Sequence, residues 1–282
     1  TQAVRINSRS VRCTTPERWP SVVRLSVSYN LVDFSNDVEY SYVSAATVSQ
    51  ATPNHGSILG GTLVTMRGTG FYNSTGEGGC RFGKVFVPIE NMLDSTAIVC
   101  RAPSQSSEGP VAVEITLNGK DFTSAGAQFI YQAAVAVRGV EPRMGPVTGQ
   151  TVVVVAGSGF VVSPTLACRF GKTKLVPAVY LSENRVQCQT PAADAGGEVE
   201  ISVTTNGADF SSASIQYLYT EPLKVASMSP MSGPESGGTV VTLAGANFDA
   251  PEAIVCEFGS LEYRVPAVWL SSSAVTCSTP EH

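Results

Sequence analysis

The cysteines recur at a nearly constant interval, and this repeat constrains the fold more than any other feature of the chain. One series, spaced 88 residues apart, is Cys80, Cys168 and Cys256, and the other, spaced 87 to 89 apart, is Cys13, Cys100, Cys188 and Cys277. A fixed period of this size indicates a tandem array of small domains. Units of this length are large enough to hold hydrophobic cores of their own.

Short motifs follow the same period. The first cysteine series reads Cys-x-Phe-Gly and the second reads Cys-x-x-Pro. Each unit opens on Pro-x-x-Gly and Gly-Gly-Thr (weaker in the middle unit), continues to glycines and a phenylalanine, and closes on Asp-Phe with two aromatic residues. Apolar and polar residues alternate between these motifs, which predicts half-buried strands, and no long stretch has helical periodicity. We therefore predict an all-β chain of antiparallel sandwiches.

Asparagine–glycine pairs predict tight hairpin turns in two of the units. The pairs are Asn118-Gly119 and Asn206-Gly207, and both residue types tolerate the left-handed backbone that such turns require. The equivalent pair nearer the N-terminus is Asn30-Leu31, so we expect a turn of another type there.

An aspartate follows each of these pairs, at Asp33, Asp121 and Asp209. We expect the aspartate side chains to cap the turn backbone. Calcium binding at a joint between domains is the alternative interpretation.

The order of these motifs resembles the IPT/TIG domain, the immunoglobulin-like module of plexins, Met-type receptors, fibrocystin-like proteins and Rel-type transcription factors. The resemblance covers essentially the whole chain and implies tandem immunoglobulin-like sandwiches, for which the equal joints described below predict an extended rod. It divides the chain into the C-terminal half of a domain at 1–43, complete domains at 44–132 and 133–220, and the N-terminal part of another at 221–282. The module serves many roles, so the resemblance implies a fold more strongly than a function.

The repeat favours one disulfide in each unit, and the resemblance to the extracellular members of the family supports this pairing. The expected pairs are Cys80–Cys100, Cys168–Cys188 and Cys256–Cys277. Cys13 belongs to the second series, so we expect its partner upstream of the chain and expect the chain to start and stop within domains. Each bridge would stabilise its domain by about 3 kcal/mol and requires an oxidising compartment outside the cell or at the cell surface. Reduced cysteines in a cytosolic protein are the alternative.

One sequon for N-linked glycosylation occurs, at Asn73-Ser74-Thr75. It lies between a predicted strand end and the next cysteine, which is a loop position that suits a glycan. An unused sequon is the alternative.

Charge and motif content weigh against several classes of function. The net charge is −5 and only 15% of the residues are charged, whereas nucleic-acid binders usually carry a basic face. The chain has two histidines and no nucleophile elbow, phosphate-binding loop or calcium loop, so we predict no catalytic residue, metal or cofactor. No apolar run is long enough to span a bilayer.

The joints between units have constant length. The intervals Tyr42 to Pro53, Tyr131 to Pro142 and Tyr219 to Pro230 are each 11 residues, without a Gly/Ser tether. Equal joints favour a stiff array, although joints that bend are the alternative. We therefore predict a non-enzymatic structural or adhesive segment forming a rod or filament shaft. The alternative is a ligand-binding segment of a plexin-, Met- or fibrocystin-like receptor. The expected partners are further IPT/TIG domains of a longer chain, copies of the same protein or an extracellular protein ligand, and glycans.

Overall fold

The structure is a computed structural model that describes residues 2–73, 76–124, 126–248, 254–259 and 261–281. The chain divides into two compact units, Thr1–Ala133 and Ala134–His282. Nearly all of the regular structure is β-strand, which confirms the predicted fold class.

The described residues of the first unit form twelve strands. They are β1 (Ala3–Asn7), β2 (Ser10–Cys13), β3 (Ser21–Leu25), β4 (Val38–Tyr42), β5 (Thr47–Thr52), β6 (His55–Ser57), β7 (Leu63–Thr69), β8 (Gly79–Phe82), β9 (Val85–Asp94), β10 (Ala97–Arg101), β11 (Gly109–Thr116) and β12 (Gln128–Gln132). In the N-terminal segment, β1 pairs with β2 and β3 pairs with β4. Strands β5 to β12 form the first domain.

The two layers of the first domain share one long strand. The hydrogen-bonded order is β5-β7-β10-β9-β8-β11-β12-β6, and β9 pairs with β8 through its first half and with β10 through its second. Strand β9 therefore passes from one layer of the sandwich to the other. The core between the layers is fully buried and includes Val64, Phe82, Ile98, Ile115 and Phe129.

The part of the second unit that the structure describes contains fourteen strands and one short 3₁₀ turn. They are β13 (Ala136–Glu141), β14 (Met144–Pro146), β15 (Val152–Ser158), β16 (Ala167–Phe170), β17 (Lys174–Ser182), β18 (Arg185–Gln189), β19 (Gly197–Thr204), β20 (Ile215–Thr220), β21 (Lys224–Ser229), β22 (Val240–Ala246), β23 (Val255–Glu257), the 3₁₀ turn Leu261–Tyr263, β24 (Arg264–Pro266), β25 (Val268–Ser271) and β26 (Ala274–Ser278).

Strands β13 to β20, the second domain, repeat the topology of the first. The order is β13-β15-β18-β17-β16-β19-β20-β14, with β17 as the shared strand. Strands β21 to β26 form the third domain, where two shorter strands, β24 and β25, replace the shared one. Alternation along the strands accounts for the layers: in β15, Val153 and Val155 are buried whereas Val152 is exposed.

Gln150 has a left-handed backbone conformation at a position where the other two domains have glycine. Its φ is 66°, and the equivalent residues Gly61 and Gly238 have φ of 95° and 81°. All three amides donate to the carbonyl oxygen of the residue two positions beyond the second cysteine. A side chain in this conformation costs about 1 to 2 kcal/mol.

We expect Gln150→Gly to stabilise the second domain by about 0.5 to 1 kcal/mol, because the relieved strain exceeds the gain in unfolded-state entropy. Urea denaturation followed by hydrogen exchange of β15 amides measures the change. Gln150→Ala keeps the Cβ atom and serves as the control. A Gly variant no more stable than the Ala variant would contradict the strain argument.

Candidate functional site

Each domain contains a buried disulfide between two strands. Cys80 pairs with Cys100, Cys168 with Cys188 and Cys256 with Cys277, and the Cα–Cα distances are 6.3, 6.4 and 6.4 Å. In the first domain the bridge joins β8 to β10, which pair with different halves of β9. The covalent link therefore joins the two layers inside the core. Cys13 is a free thiol, half-buried at the end of β2.

A tyrosine hydroxyl fastens the last strand of each complete domain to the Cys-x-x-Pro motif. Tyr131 Oη donates a hydrogen bond to the Pro103 carbonyl oxygen at 2.9 Å, and Tyr219 Oη donates to that of Pro191 at 2.8 Å. Both rings are almost fully buried. The hydrogen bond thus links the Cys-x-x-Pro motif, which begins at the second disulfide cysteine, to the aromatic pair that ends the domain. This contact was not predicted from the sequence.

The second domain offers a matched pair of tyrosines that tests this bond. We expect Tyr219→Phe to lower the free energy of unfolding by about 1 to 2 kcal/mol, because the Pro191 carbonyl loses its donor. Tyr217 is also buried, yet among the described residues its hydroxyl has no hydrogen bond of ordinary geometry, and Phe129 is its equivalent in the first domain. Tyr217→Phe should therefore be neutral or stabilising. Equal losses in the two variants, measured by urea denaturation, would refute this assignment.

Tyr131 and Tyr219 also make the free energy of unfolding depend on pH in the alkaline range. Burial raises the pKa of Tyr131 to about 12, and burial followed by the proximity of Tyr217 raises the pKa of Tyr219 to about 12. An unfolded tyrosine titrates near 10, so folding favours the neutral phenol. The contribution is complete below about pH 10 and is lost as the pH rises from about 10 towards about 12.

We expect the free energy of unfolding to fall over this interval. Replacing Tyr131 and Tyr219 together by phenylalanine should flatten the dependence, which denaturation at a series of pH values measures. An unchanged slope would show that other groups cause the alkaline loss.

An arginine stacks on the phenylalanine of the Asp-Phe motif in both complete domains. The guanidinium carbon of Arg81 lies 4.0 Å from the ring centroid of Phe122, and that of Arg169 lies 3.6 Å from Phe210. Arg81 also forms an ion pair with Glu114. Cation–π contacts of this kind contribute about 0.5 to 1 kcal/mol, and here they hold the loop before the last strand against the sheet. Cys-Arg-Phe-Gly and Asp-Phe both recur in these two units, but the recurrence alone does not indicate that the two side chains meet.

The three predicted turns share one hydrogen-bond network centred on an asparagine. The Asn118 Oδ1 atom accepts from the amides of Lys120 and Asp121 at 3.0 and 2.9 Å, and its Nδ2 atom donates to Asp121 Oδ2 at 2.8 Å. Equivalent bonds link Asn206 to Ala208 and Asp209, and Asn30 to Val32 and Asp33. The asparagine caps the turn, and the aspartate orients the asparagine.

This network corrects the predicted turn geometry. Gly119 and Gly207 have φ of 71° and 74°, but the asparagines before them are not left-handed, so these are longer capped loops rather than two-residue hairpin turns. Leu31 has a φ of 65° at the glycine position, so the prediction of another turn type at Asn30-Leu31 was wrong. The side-chain cap, rather than the glycine, sets the turn. Asp33 and Asp121 accept from the asparagine amide instead of capping the backbone.

Two cavities lie beside connections between successive domains. One of about 410 Å³ is lined in the first unit by residues 40–46, Tyr72 and the Asn118 turn. Another of about 710 Å³ is lined in the second unit by Met144, Pro146, Leu218, residues 220–223 and Asn247. Asn247 Nδ2 donates to the Pro222 carbonyl oxygen at 2.8 Å, so the connection at 221–223 is held by a side chain of the third domain.

Asn73 is exposed after β7, while Ser74 and Thr75 of the sequon lie outside the described residues. Within the described part of the chain, no cluster of three or more His, Cys, Asp or Glu side chains could hold a metal ion. None of the described helices is both long and apolar enough to cross a membrane.

Comparison with known protein families assigns these domains to a family. The model of the IPT/TIG domain matches residues 46–131, 136–219 and 223–282. The chain belongs to the IPT/TIG domain family. The three disulfides lie within the three matched domains, and the tyrosine anchors and the capped turns at Asn118 and Asn206 lie within the first two.

Relatives of this IPT/TIG chain include long proteins. Human fibrocystin-L is 29% identical over 96% of the chain, which spans 6% of that protein. Mouse plexin-B2 is 25% identical over 71% of the chain and 11% of its own length. Among solved structures, the plexin A4 full extracellular region is 18% identical with a TM-score of 0.45, over 84% of this chain and 21% of that one.

The IPT/TIG chain is an extracellular or cell-surface one, as its relatives and its three disulfides indicate. The IPT/TIG domains of plexin and fibrocystin ectodomains are immunoglobulin-like modules without catalytic machinery of their own.

Proposed function

We propose that the chain is a non-enzymatic structural or adhesive segment of a longer extracellular array of IPT/TIG domains. In this proposal 44–132 and 133–220 are complete domains, and 1–43 and 221–282 are parts of flanking ones. The array acts as a rod or shaft whose domains keep constant orientation.

The short connections carry this proposal. Only residues 43–46, 133–135 and 221–223 separate the last strand of one domain from the first strand of the next. The third connection contains Pro222, whose carbonyl oxygen accepts the Asn247 side chain. A connection of this length, fixed by proline and a side-chain bond, leaves few backbone torsions free to bend.

Small-angle scattering and electron microscopy of the whole chain test the rod. We expect elongated particles of uniform length and narrow curvature. A Gly/Ser insertion within 221–223 should broaden the distribution, whereas the same insertion in the exposed loop 106–108 should not. Compact or randomly bent particles from the unmodified chain would refute the proposal.

A second candidate function, binding of an extracellular protein ligand as part of a receptor, is favoured by one sheet face of the second domain. There Val152, Val179 and Leu181 are 51%, 58% and 48% exposed. Gln187 lies between Val154 and Val179 across the strands. The corresponding face of the first domain carries the ion pair between Arg101 and Glu90 instead. These apolar residues are bordered by Glu141, which lies opposite Val154, and by Arg185 at the start of β18. An exposed apolar stretch with a polar rim is typical of interaction sites.

Charge placed on this face separates the two candidate functions. Val179→Glu should abolish capture of a receptor ligand from the extracellular surface while leaving particle length unchanged. Asn91→Glu, at the equivalent position of the first domain, is the control. Loss of self-association measured by sedimentation, rather than loss of ligand, would favour the shaft.

We further propose that Asn73 carries an N-linked glycan. Material secreted from eukaryotic cells should lose mass on treatment with a peptide N-glycosidase, and Asn73→Gln should remove that change. Digestion that leaves the mass unaltered would show an unused sequon.

A further inference from the structure

Three turns with the same capped geometry differ in the residue that follows the asparagine. Asn30 precedes Leu31, whereas Asn118 and Asn206 each precede a glycine. An asparagine side chain is attacked by the next backbone nitrogen most readily when that residue is glycine, because no side chain obstructs the approach. The three turns therefore form an internal comparison for this reaction.

The two glycine amides are in different states. The Gly207 amide donates a hydrogen bond to Thr204 Oγ1 at 2.9 Å, and Thr204 is fully buried. Within the described residues, the Gly119 amide donates no hydrogen bond, although Thr116 occupies the equivalent position and directs its hydroxyl to Asn118 Oδ1 at 3.2 Å. Asn118 and Gly119 are exposed, whereas Asn206 is buried. The nucleophile is thus engaged in one turn and available in the other.

The cap also prepares the electrophile. Two backbone amides point at Asn118 Oδ1, the atom on which negative charge develops when the Cγ carbon is attacked. The Asp121 carboxylate accepts a hydrogen bond from Nδ2, the nitrogen that must leave. Solvent can take the proton from the exposed Gly119 nitrogen, and the departing amine takes up a proton as it leaves.

We propose that Asn118 is a site of spontaneous covalent modification, in which the Gly119 nitrogen bonds to Asn118 Cγ. The Cγ–Nδ2 bond breaks, and ammonia leaves with the proton that the Gly119 nitrogen gives up. Water then opens the cyclic imide at either carbonyl, which yields aspartate or isoaspartate at position 118. The reaction consumes one water molecule, releases one ammonia and requires no oxidant or enzyme.

The product changes the charge beside a connection between domains. The new carboxylate replaces the amide that donated to Asp121, so two like charges meet where a hydrogen bond had been. The turn also lines the 410 Å³ cavity next to residues 40–46. Conversion would therefore open the capped loop and add negative charge at this connection as the protein ages.

Peptide mapping by mass spectrometry during incubation of the folded chain tests the proposal. In neutral to mildly alkaline buffer, Asn118 should convert at least about tenfold faster than Asn206, the factor that one hydrogen bond on the nucleophile supplies. Asn30 should remain intact over the same time. In denaturant, Asn118 and Asn206 should converge, because both then lie in flexible Asn-Gly sequences.

Two variants test whether the glycine nitrogen controls the rate at which the preceding asparagine converts. Thr204→Val removes the acceptor of the Gly207 amide and should accelerate conversion of Asn206. Gly119→Leu copies the Asn30-Leu31 turn and should suppress conversion of Asn118 to the level of Asn30. Equal native rates for Asn118 and Asn206, or a slower rate for Asn118 in the folded chain than in denaturant, would overturn the proposal.

Discussion

Replacing Cys168 and Cys188 together by alanine should lower the free energy of unfolding of the second domain by about 3 kcal/mol. The bridge closes a segment with a sequence separation of 20 residues, and removing it restores that chain entropy to the unfolded state. Both sulfurs are buried in the core, so the substitutions also leave a small cavity. Native-state hydrogen exchange of amides in β18, which carries Cys188, and in its neighbour β15 measures the loss in one domain of the whole chain.

Reduction by a strong reductant should reproduce this loss in all three domains. Cys13→Ser is the control, since Cys13 is a free thiol, and it should leave the second domain unaffected. If the reduced protein were as stable as the oxidised one, the bridges would contribute nothing to stability in solution.

Gly157→Ala should destabilise the second domain by about 3 kcal/mol or more. A methyl group at Gly157 would collide with the backbone carbonyl oxygen of Ala136, and its distance to Phe160 Cζ would be only 2.7 Å. The opposing atom belongs to the backbone of the neighbouring strand, so it cannot move as a side chain could. Gly68 and Gly245 meet equivalent obstacles in the other two domains.

The same sheet supplies the control. Gly139 lies in β13, opposite Ala156, and a Cβ atom there would meet nothing within 4 Å. Gly139→Ala should therefore be neutral or slightly stabilising, because alanine reduces the entropy of the unfolded chain. Thermal or urea denaturation of both variants compares them directly. Similar stabilities would mean that β13 and β15 can move apart with little loss of stability. The close approach of Gly157 to the Ala136 carbonyl oxygen would then not matter.

The repeat predicted the features that depend on it directly. Cys168 and Cys188 recur with the same spacing as their equivalents, and the alternation at Val64 and Met66 marked the buried face of their strand. In the second domain the prediction rested on Val152 and Val154, whereas Val153 and Val155 are the buried residues, because four consecutive valines give no alternation. The fold and the family were accessible because each signal appeared in two or more units. Apolar periodicity indicates which side of a strand is buried, and this holds whichever strands become neighbours.

Contacts between side chains distant in sequence were not predictable. Arg169 and Phe210 belong to separate motifs, and nothing local indicates that their side chains meet. The prediction for the Asn30-Leu31 turn was wrong because residue preferences favour glycine at the left-handed position. The Asn30 cap imposes that backbone conformation on leucine. Neither the rod nor the interaction face follows from residue patterns alone, because both depend on how domains meet other domains and molecules.

The disulfide in each complete domain encloses the whole of the strand shared by the two layers. In the first domain, the ring from Cys80 to Cys100 contains all of β9. If the two ends of this domain were pulled apart, the strands outside the ring could unfold and extend. The residues enclosed by the disulfide could not extend. They represent about 70 Å of concealed contour length, which a pulled molecule would release only after reduction. An extracellular tether built from such domains would thus have a maximum extension set by the redox state of its surroundings.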